Sequence, residues 1–178
     1  MDCASAASGP SPPTVKDRLS RRRFLAWPAA LGAAAAGRAA AAPAVHEGLP
    51  LAASLRDELG AALRQAQPLV VLVSLDGCPF CRAVRQSYLA PMHGEGLPVV
   101  QVDWRSPRPL SDFTGAASTH DAMVAAWKVK VAPTVLFFGP GGREVAERLR
   151  GASVPDFYGA YLEARLATAR KALAPARG

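Results

Sequence analysis

Ser74-Leu75-Asp76-Gly77-Cys78-Pro79-Phe80-Cys81-Arg82-Ala83-Val84-Arg85 is the stretch that organises the chain. It follows the branched apolar run Val70, Val71, Leu72, Val73 and leads into a segment of helical character. Two cysteines with two residues between them, set where a strand ends and a helix starts, can close into a disulfide or open into a dithiol. Pro79 suits the first helical turn, where its missing N–H is no loss. Cys78 then stands at the helix N-terminus, beside unpaired backbone N–H groups and the positive end of the macrodipole. Both favour thiolate over thiol, and the thiolate is the attacking species. Arg82 and Arg85 add positive charge, although as exposed side chains they would contribute little. Cys78 is therefore the expected nucleophile, and Cys81, one turn later and more buried, the resolving thiol.

Two plainer readings compete with this one. A zinc site wants four ligands, but there is no second cysteine pair, and His46, His93 and His120 are scattered without ligand spacing. A purely structural disulfide would close so short a loop that it would constrain the unfolded chain little. The strand–helix setting favours redox work.

The net charge of +7 over 178 residues suggests a polyanionic partner only until its location is considered. Residues 1–44 hold Lys16, Arg18, Arg21, Arg22, Arg23 and Arg38 against Asp2 and Asp17; the remainder carries 15 basic and 12 acidic residues, a net of +3. No remaining segment combines dense Lys/Arg with aromatic residues, so no nucleic-acid partner is expected. Residues 2–18 are Ser-, Pro- and Ala-rich and aperiodic, which reads as disorder. Ser20-Arg21-Arg22-Arg23-Phe24-Leu25-Ala26 then opens an alanine-rich apolar run, followed by Ala39-Ala40-Ala41-Ala42-Pro43-Ala44. Basic segment, short apolar segment and small-residue cleavage region together make the plan of an export signal. The arginine pair with Phe-Leu resembles the bacterial twin-arginine signal, departing from it at Ala26, where a lysine is common. The apolar run of about eleven residues falls short of the roughly 20 that span a bilayer, so no stable membrane insertion is expected after signal removal. Cys3 would leave with the signal, and the mature chain would keep only Cys78 and Cys81 in a compartment where disulfides persist. The expected division is an export signal at 1–44 and a folded domain at 45–178.

Within that domain, Leu51, Leu55, Leu59, Ala62, Leu63 and Ala66 recur at helical spacing, which predicts an amphipathic helix over 51–66 ended by Gln67-Pro68. Residues 69–75 form an apolar run broken only by Ser74, as in a strand covered on both faces. The helix that opens at Pro79 offers Ala83, Val84, Tyr88 and Leu89 to the core and is expected to end near Pro91. Residues 98–104 read as a strand, 105–118 as a loop, and 120–128 as a helix capped by Ser118 or Thr119, with Met123, Val124 and Trp127 facing inward. Residues 134–138 and 143–149 read as a hairpin about Gly139-Pro140-Gly141-Gly142. Ser153-x-x-Asp156 looks like a capping pair before a last helix whose inner stripe is Tyr158, Leu162, Leu166, Ala169 and Leu173. This order implies an α/β fold with a mixed central sheet of about four strands, flanked by helices on both faces.

That order, with Cys-Pro-Phe-Cys after the first central strand, resembles the thioredoxin superfamily. A second signature, Trp127-Lys128-Val129-Lys130-Val131-Ala132-Pro133-Thr134, is similar to the family's aromatic-x-Val-x-x-x-Pro-Thr segment. The resemblance covers roughly residues 50–173. It implies a cis bond before Pro133 and a substrate strand held by Ala132 and Pro133, with Phe80 and Trp127 shaping an apolar rim. Departures are visible. Where cytosolic members carry a buried carboxylate that relays a proton for the resolving cysteine, this chain has Ser74. Asp76 could stand in for it but reads more simply as a turn residue. Gly77 replaces the usual aromatic before the first cysteine, and Pro79-Phe80 is closer to the Pro-Tyr of glutaredoxins than to the Gly-Pro of thioredoxins. Fifty-five positions separate Cys78 from Pro133, too few for the helical insertion of periplasmic disulfide-forming oxidases.

The resemblance implies a periplasmic thiol–disulfide oxidoreductase, more a reductase than an oxidase, that acts as a monomer and needs no cofactor or metal. Its partners would be protein thiols and disulfides and an upstream dithiol electron donor. The competing readings are a disulfide donor or isomerase of the same fold, a redox-linked copper chaperone, and a binding module with a structural disulfide.

Overall fold

The computed structural model describes residues 45–46, 48–152 and 155–174. The export-signal segment, Cys3 and the Ser153 cap lie outside the described residues. A short hairpin, β1 (Val45–His46) and β2 (Leu49–Pro50), precedes helix α1 (Leu55–Arg64). The helix expected from residue 51 starts later because Ser54 caps it: its hydroxyl accepts the Asp57 N–H, and Glu58 reaches back to the N–H groups of Ala53 and Ser54. Leu51 instead forms a bridge with Gln101.

Strand β3 (Leu69–Ser74) is buried along its whole length. A turn leads into α2 (Pro79–Val84), a π-helical stretch (Arg85–Leu89) and α3 (Ala90–Gly94). The helical run therefore passes through Pro91 rather than ending there. The π-stretch widens the turn just before the proline, so the proline's missing N–H and its ring are accommodated. Ala83, expected inside, is exposed, while Val84 and Leu89 are buried and Tyr88 half-buried.

Strand β4 (Val99–Asp103) pairs parallel to β3, with Leu72 opposite Gln101 and Ser74 opposite Asp103. The segment expected to be loop contains a hairpin, β5 (Pro109–Ser111) and β6 (Ala117–Thr119). Asp112 builds its turn: Oδ1 accepts from Thr114 N at 2.8 Å, Thr114 Oγ1 at 2.7 Å and Ala116 N at 2.9 Å. Thr119 then caps α4 (His120–Ala126).

Strand β7 (Thr134–Gly139) runs antiparallel to β3, and a 3-10 turn at Pro140–Gly142 returns the chain as β8 (Arg143–Glu144) and β9 (Leu149–Arg150), both paired to β7. The return strand is thus two short pieces rather than one. Helix α5 (Pro155–Leu173) closes the domain and buries Tyr158, Leu162, Leu166 and Ala169.

The central sheet is ordered β4-β3-β7-β8, with β9 also on β7. Alternation along each strand divides its side chains between two cores. Leu69, Val71, Val73, Val100, Val102, Leu136 and Phe138 join the side of α1 and α4; Val70, Leu72, Val99, Val135 and Phe137 join the side of α2 and α5. That second face carries the cysteines.

Candidate active site

Cys78 is the N-cap of α2, and its Sγ accepts the backbone N–H of Cys81 at 3.2 Å. Its own N–H donates to the Leu75 carbonyl at 3.2 Å, closing the turn in which Gly77 adopts φ +70°. A positive φ is easily adopted only by glycine, which accounts for Gly77 where an aromatic residue was the pattern. Asp76 is exposed and its carboxylate accepts the Gly77 N–H at 2.9 Å, so it is a turn residue and not a buried relay.

The two cysteines are free thiols in unlike surroundings: Cys78 is partly exposed and Cys81 fully buried. Burial pushes the Cys81 thiol up to about 11, and its link to Cys78 acts in the same direction; the Leu75 backbone and the Ser74 hydroxyl pull the other way. One sulfur is reachable and one is held back.

The peptide bond between Ala132 and Pro133 is cis. Ala132 and Pro133 line, with Phe80, Val131, Gly151 and Ala152, a cavity of about 330 Å³ beside the cysteine turn. The Pro133 carbonyl accepts from Gly151 N at 2.8 Å, and Thr134 Oγ1 donates to the Val131 carbonyl at 2.7 Å, so the loop is tied on both sides. Phe80 is 60% exposed. Trp127 is not part of this rim. Its ring packs on Phe138 with centroids 5.2 Å apart and on Phe113 at 6.3 Å, on the opposite core. The hairpin that carries Phe113 draws it there.

The sequence also misplaced Arg85, read above as an exposed charge. It is 3% exposed. Its Nε donates to Gln101 Oε1 at 2.7 Å and its Nη2 to Ser74 Oγ at 2.9 Å. The Gln101 amide in turn donates to Asp103 Oδ1 at 2.6 Å. A buried charge needs such partners. The one clue in the sequence was Gln101 itself, a polar residue inside Val99-Val100-Gln101-Val102. His120 is also fully buried, with both ring nitrogens engaged by backbone, at Asp103 N and the Ala52 carbonyl. It is a structural histidine.

A family match to the thioredoxin-like domain spans residues 55–166. Compared by sequence with curated proteins, the chain matches none. Among solved structures it is similar to thioredoxin O2 from Arabidopsis thaliana in the oxidized state, at 16% identity over 64% of this chain and 93% of that one, with a TM-score of 0.41. The reduced periplasmic thioredoxin SoxS from Paracoccus pantotrophus matches at 21% identity, over 58% of this chain and 99% of its own, with a TM-score of 0.38. The oxidised C-terminal domain of Neisseria meningitidis DsbD matches at 17% identity, over 61% and 90%, with a TM-score of 0.42. With its matched region covering the central sheet and both cysteines, this chain belongs to the thioredoxin-like domain family.

Proposed function

We propose that this chain is an exported thiol–disulfide oxidoreductase that reduces disulfides in partner proteins. The observation that carries the reading is the asymmetry of the pair: a partly exposed Cys78 at a helix N-terminus, with Cys81 buried one turn behind it. The Cys78 thiolate attacks a substrate disulfide. One substrate sulfur becomes bonded to Cys78, and the other leaves as a thiolate that takes a proton from water. Cys81 then attacks Cys78; the intramolecular disulfide forms and the second substrate thiol departs. Two electrons pass to the substrate, and an upstream dithiol returns the pair to its reduced state. The apolar cavity between Phe80 and Pro133 receives an extended stretch of the partner, with the Ala132 backbone available for pairing. Both cysteines and the Pro133 loop come from one chain, so a monomer suffices.

Export rests on residues 1–44, whose sequence carries the basic, apolar and small-residue segments in that order. A reporter fused behind residues 1–46 should lose export when Arg21 and Arg22 become lysine; unchanged export rejects the twin-arginine route. For the chemistry, Cys78→Ser should abolish reduction of insulin disulfides, and undiminished activity would refute the assignment. Cys81→Ala should accumulate mixed disulfides, whose partner chains name the substrates.

A further inference from the structure

Strands β3 and β4 run parallel, yet the chain leaves their carboxyl ends toward opposite faces of the sheet. After β3 it turns to α2, which packs Val84 into the core of Val70, Leu72 and Val99. After β4 it goes on to α4, which packs Met123 and Val124 into the other core. In α/β sheets a crevice opens where such connections part, outside the carboxyl ends of the strands, and ligands bind there. Here the crevice is a cavity of about 390 Å³ whose walls include Ser74, Asp76, Arg85, Asp103, Arg105 and Arg108. Asp76 belongs to the turn that leads into Cys78, so the cavity borders that turn. It shares no lining residue with the apolar cavity between Phe80 and Pro133.

The segment after β4 is fastened along its length. The Trp104 N–H donates to the Ser74 carbonyl at 2.7 Å, the Asp121 N–H to the Ser106 carbonyl at 3.1 Å and the His120 N–H to the Arg108 carbonyl at 3.0 Å. Within it Arg105 holds φ +64°, a left-handed backbone that strains every residue but glycine. Strain of this kind gathers at ligand clamps. Among the described residues, the side chains of Arg105 and Arg108 have no hydrogen bond or ion pair. The aspartates, by contrast, already accept: Asp103 from the Gln101 amide and Asp76 from the Gly77 N–H. Three guanidiniums against two carboxylates leave the cavity one net positive charge. That balance suits a monoanion better than a phosphate dianion, and a guanidinium fork matches both oxygens of a carboxylate.

We infer that this crevice holds a carboxylate of the disulfide substrate, gripped by Arg105 and Arg108, so that the disulfide this chain reduces carries an acidic group close to its sulfurs. The inference rests on the oxidoreductase reading above and narrows its substrate class. The redox step itself is unchanged. The substrate S–S bond breaks and the Cys78–Cys81 bond forms, while two electrons and two protons pass from the cysteine pair to the two substrate sulfurs. A small acidic disulfide and an acidic side chain beside a protein disulfide present the same carboxylate to the cavity.

Binding is read first, on the full chain carrying Cys3→Ser, Cys78→Ser and Cys81→Ser, titrated with dithiodipropionate at low salt. Tryptophan fluorescence should change saturably, since Trp104 stands in the cavity wall; the neutral bis(hydroxyethyl) disulfide should give no saturable change. Arg105→Gln and Arg108→Gln, both at exposed positions, should each weaken binding about tenfold. Lys130→Gln, an exposed cation just before the Pro133 loop, should change it by less than about twofold. Arg105→Gly should weaken binding as much as Arg105→Gln without lowering the urea midpoint, because glycine relaxes the backbone there. Turnover is then read on the reduced full chain with Cys3→Ser. Arg105→Gln should slow reduction of dithiodipropionate about tenfold and leave that of the hydroxyethyl disulfide within about twofold. A peptide disulfide flanked by glutamates, set against its glutamine counterpart, separates the sources: the same loss on the glutamate peptide points to a protein substrate, and a loss confined to dithiodipropionate to a small one. No saturable binding of dithiodipropionate, or binding unmoved by both arginine changes, overturns the inference, while reduction of the hydroxyethyl disulfide leaves the oxidoreductase reading standing. Reduction of neither disulfide overturns that reading, and with it the cavity's part in holding a substrate.

Discussion

The backbone N–H of Asp103 donates to Nδ1 of His120 at 2.9 Å. That bond leaves the imidazole proton on Nε2, which donates to the Ala52 carbonyl at 3.0 Å. Protonating Nδ1 would set two N–H groups against each other. Burial holds His120 below its ordinary value, with Arg108 acting in the same sense and the Ala52 carbonyl, Asp103 and Asp121 against it. The unfolded chain takes up this proton near 6.5, whereas the folded one resists it. The stability His120 contributes is therefore complete above that value and is lost as pH falls below it. His120→Gln cannot titrate, so the gap between parent and variant urea midpoints should narrow from about pH 7.5 to about pH 5.5. A constant gap would contradict the buried neutral tautomer.

Because its burial pushes it up to about 11, Cys81 is a protonated thiol at neutral pH and ionises only as pH climbs toward that value. Iodoacetamide on the reduced native chain near pH 7 should label Cys78 and spare Cys81, as read by peptide mass spectrometry. Cys81 should become reactive above about pH 10 or in denaturant. Equal rapid labelling of both thiols at neutral pH would defeat the asymmetry on which the proposed function rests.

Phe80 holds nothing together, being 60% exposed. Phe80→Ser should therefore change stability by less than about 0.5 kcal/mol. Its partial burial under a protein substrate is worth about 1 kcal/mol, so KM for a protein disulfide should rise about fivefold. Turnover of a small disulfide should stay unchanged. Equal losses on both substrates would show that the ring acts on the cysteines instead.

Two adjacent glycines in the β7–β8 turn separate backbone strain from packing. Gly141 and Gly142 both have φ +70°, but a Cβ on Gly141 would meet open space, whereas one on Gly142 would lie 2.5 Å from the Phe113 ring. That ring is wedged against Phe138, centroids 4.7 Å apart, and cannot swing away freely. Gly141→Ala should cost roughly 1–2 kcal/mol from the left-handed backbone alone, and Gly142→Ala roughly 2–4 kcal/mol with overpacking added. Denaturant unfolding of the two variants reads the difference directly.

Much of the architecture was legible because it is written locally. The apolar run 69–73 read as a doubly covered strand and Pro79 as the first turn of a helix, and both stand so in the fold. Where the reading failed, the missing information was remote. Residues 105–118 looked like loop, yet Asp112 folds them into a hairpin that delivers Phe113 to Trp127 and Phe138. Trp127 was assigned to the substrate rim on its motif position, and only the packing of that hairpin shows which core it joins.

By itself, then, the sequence determined the order of elements and the two cysteines at the strand–helix junction, since periodicity, caps and proline act over a few residues. Only the tertiary structure decided what stands behind them. Ser74, Arg85 and Gln101 are separated by 11 and 16 positions, and no local pattern links them. A buried cation is stable only where strand register and helix face bring its acceptors together, and that meeting exists nowhere but in the folded sheet.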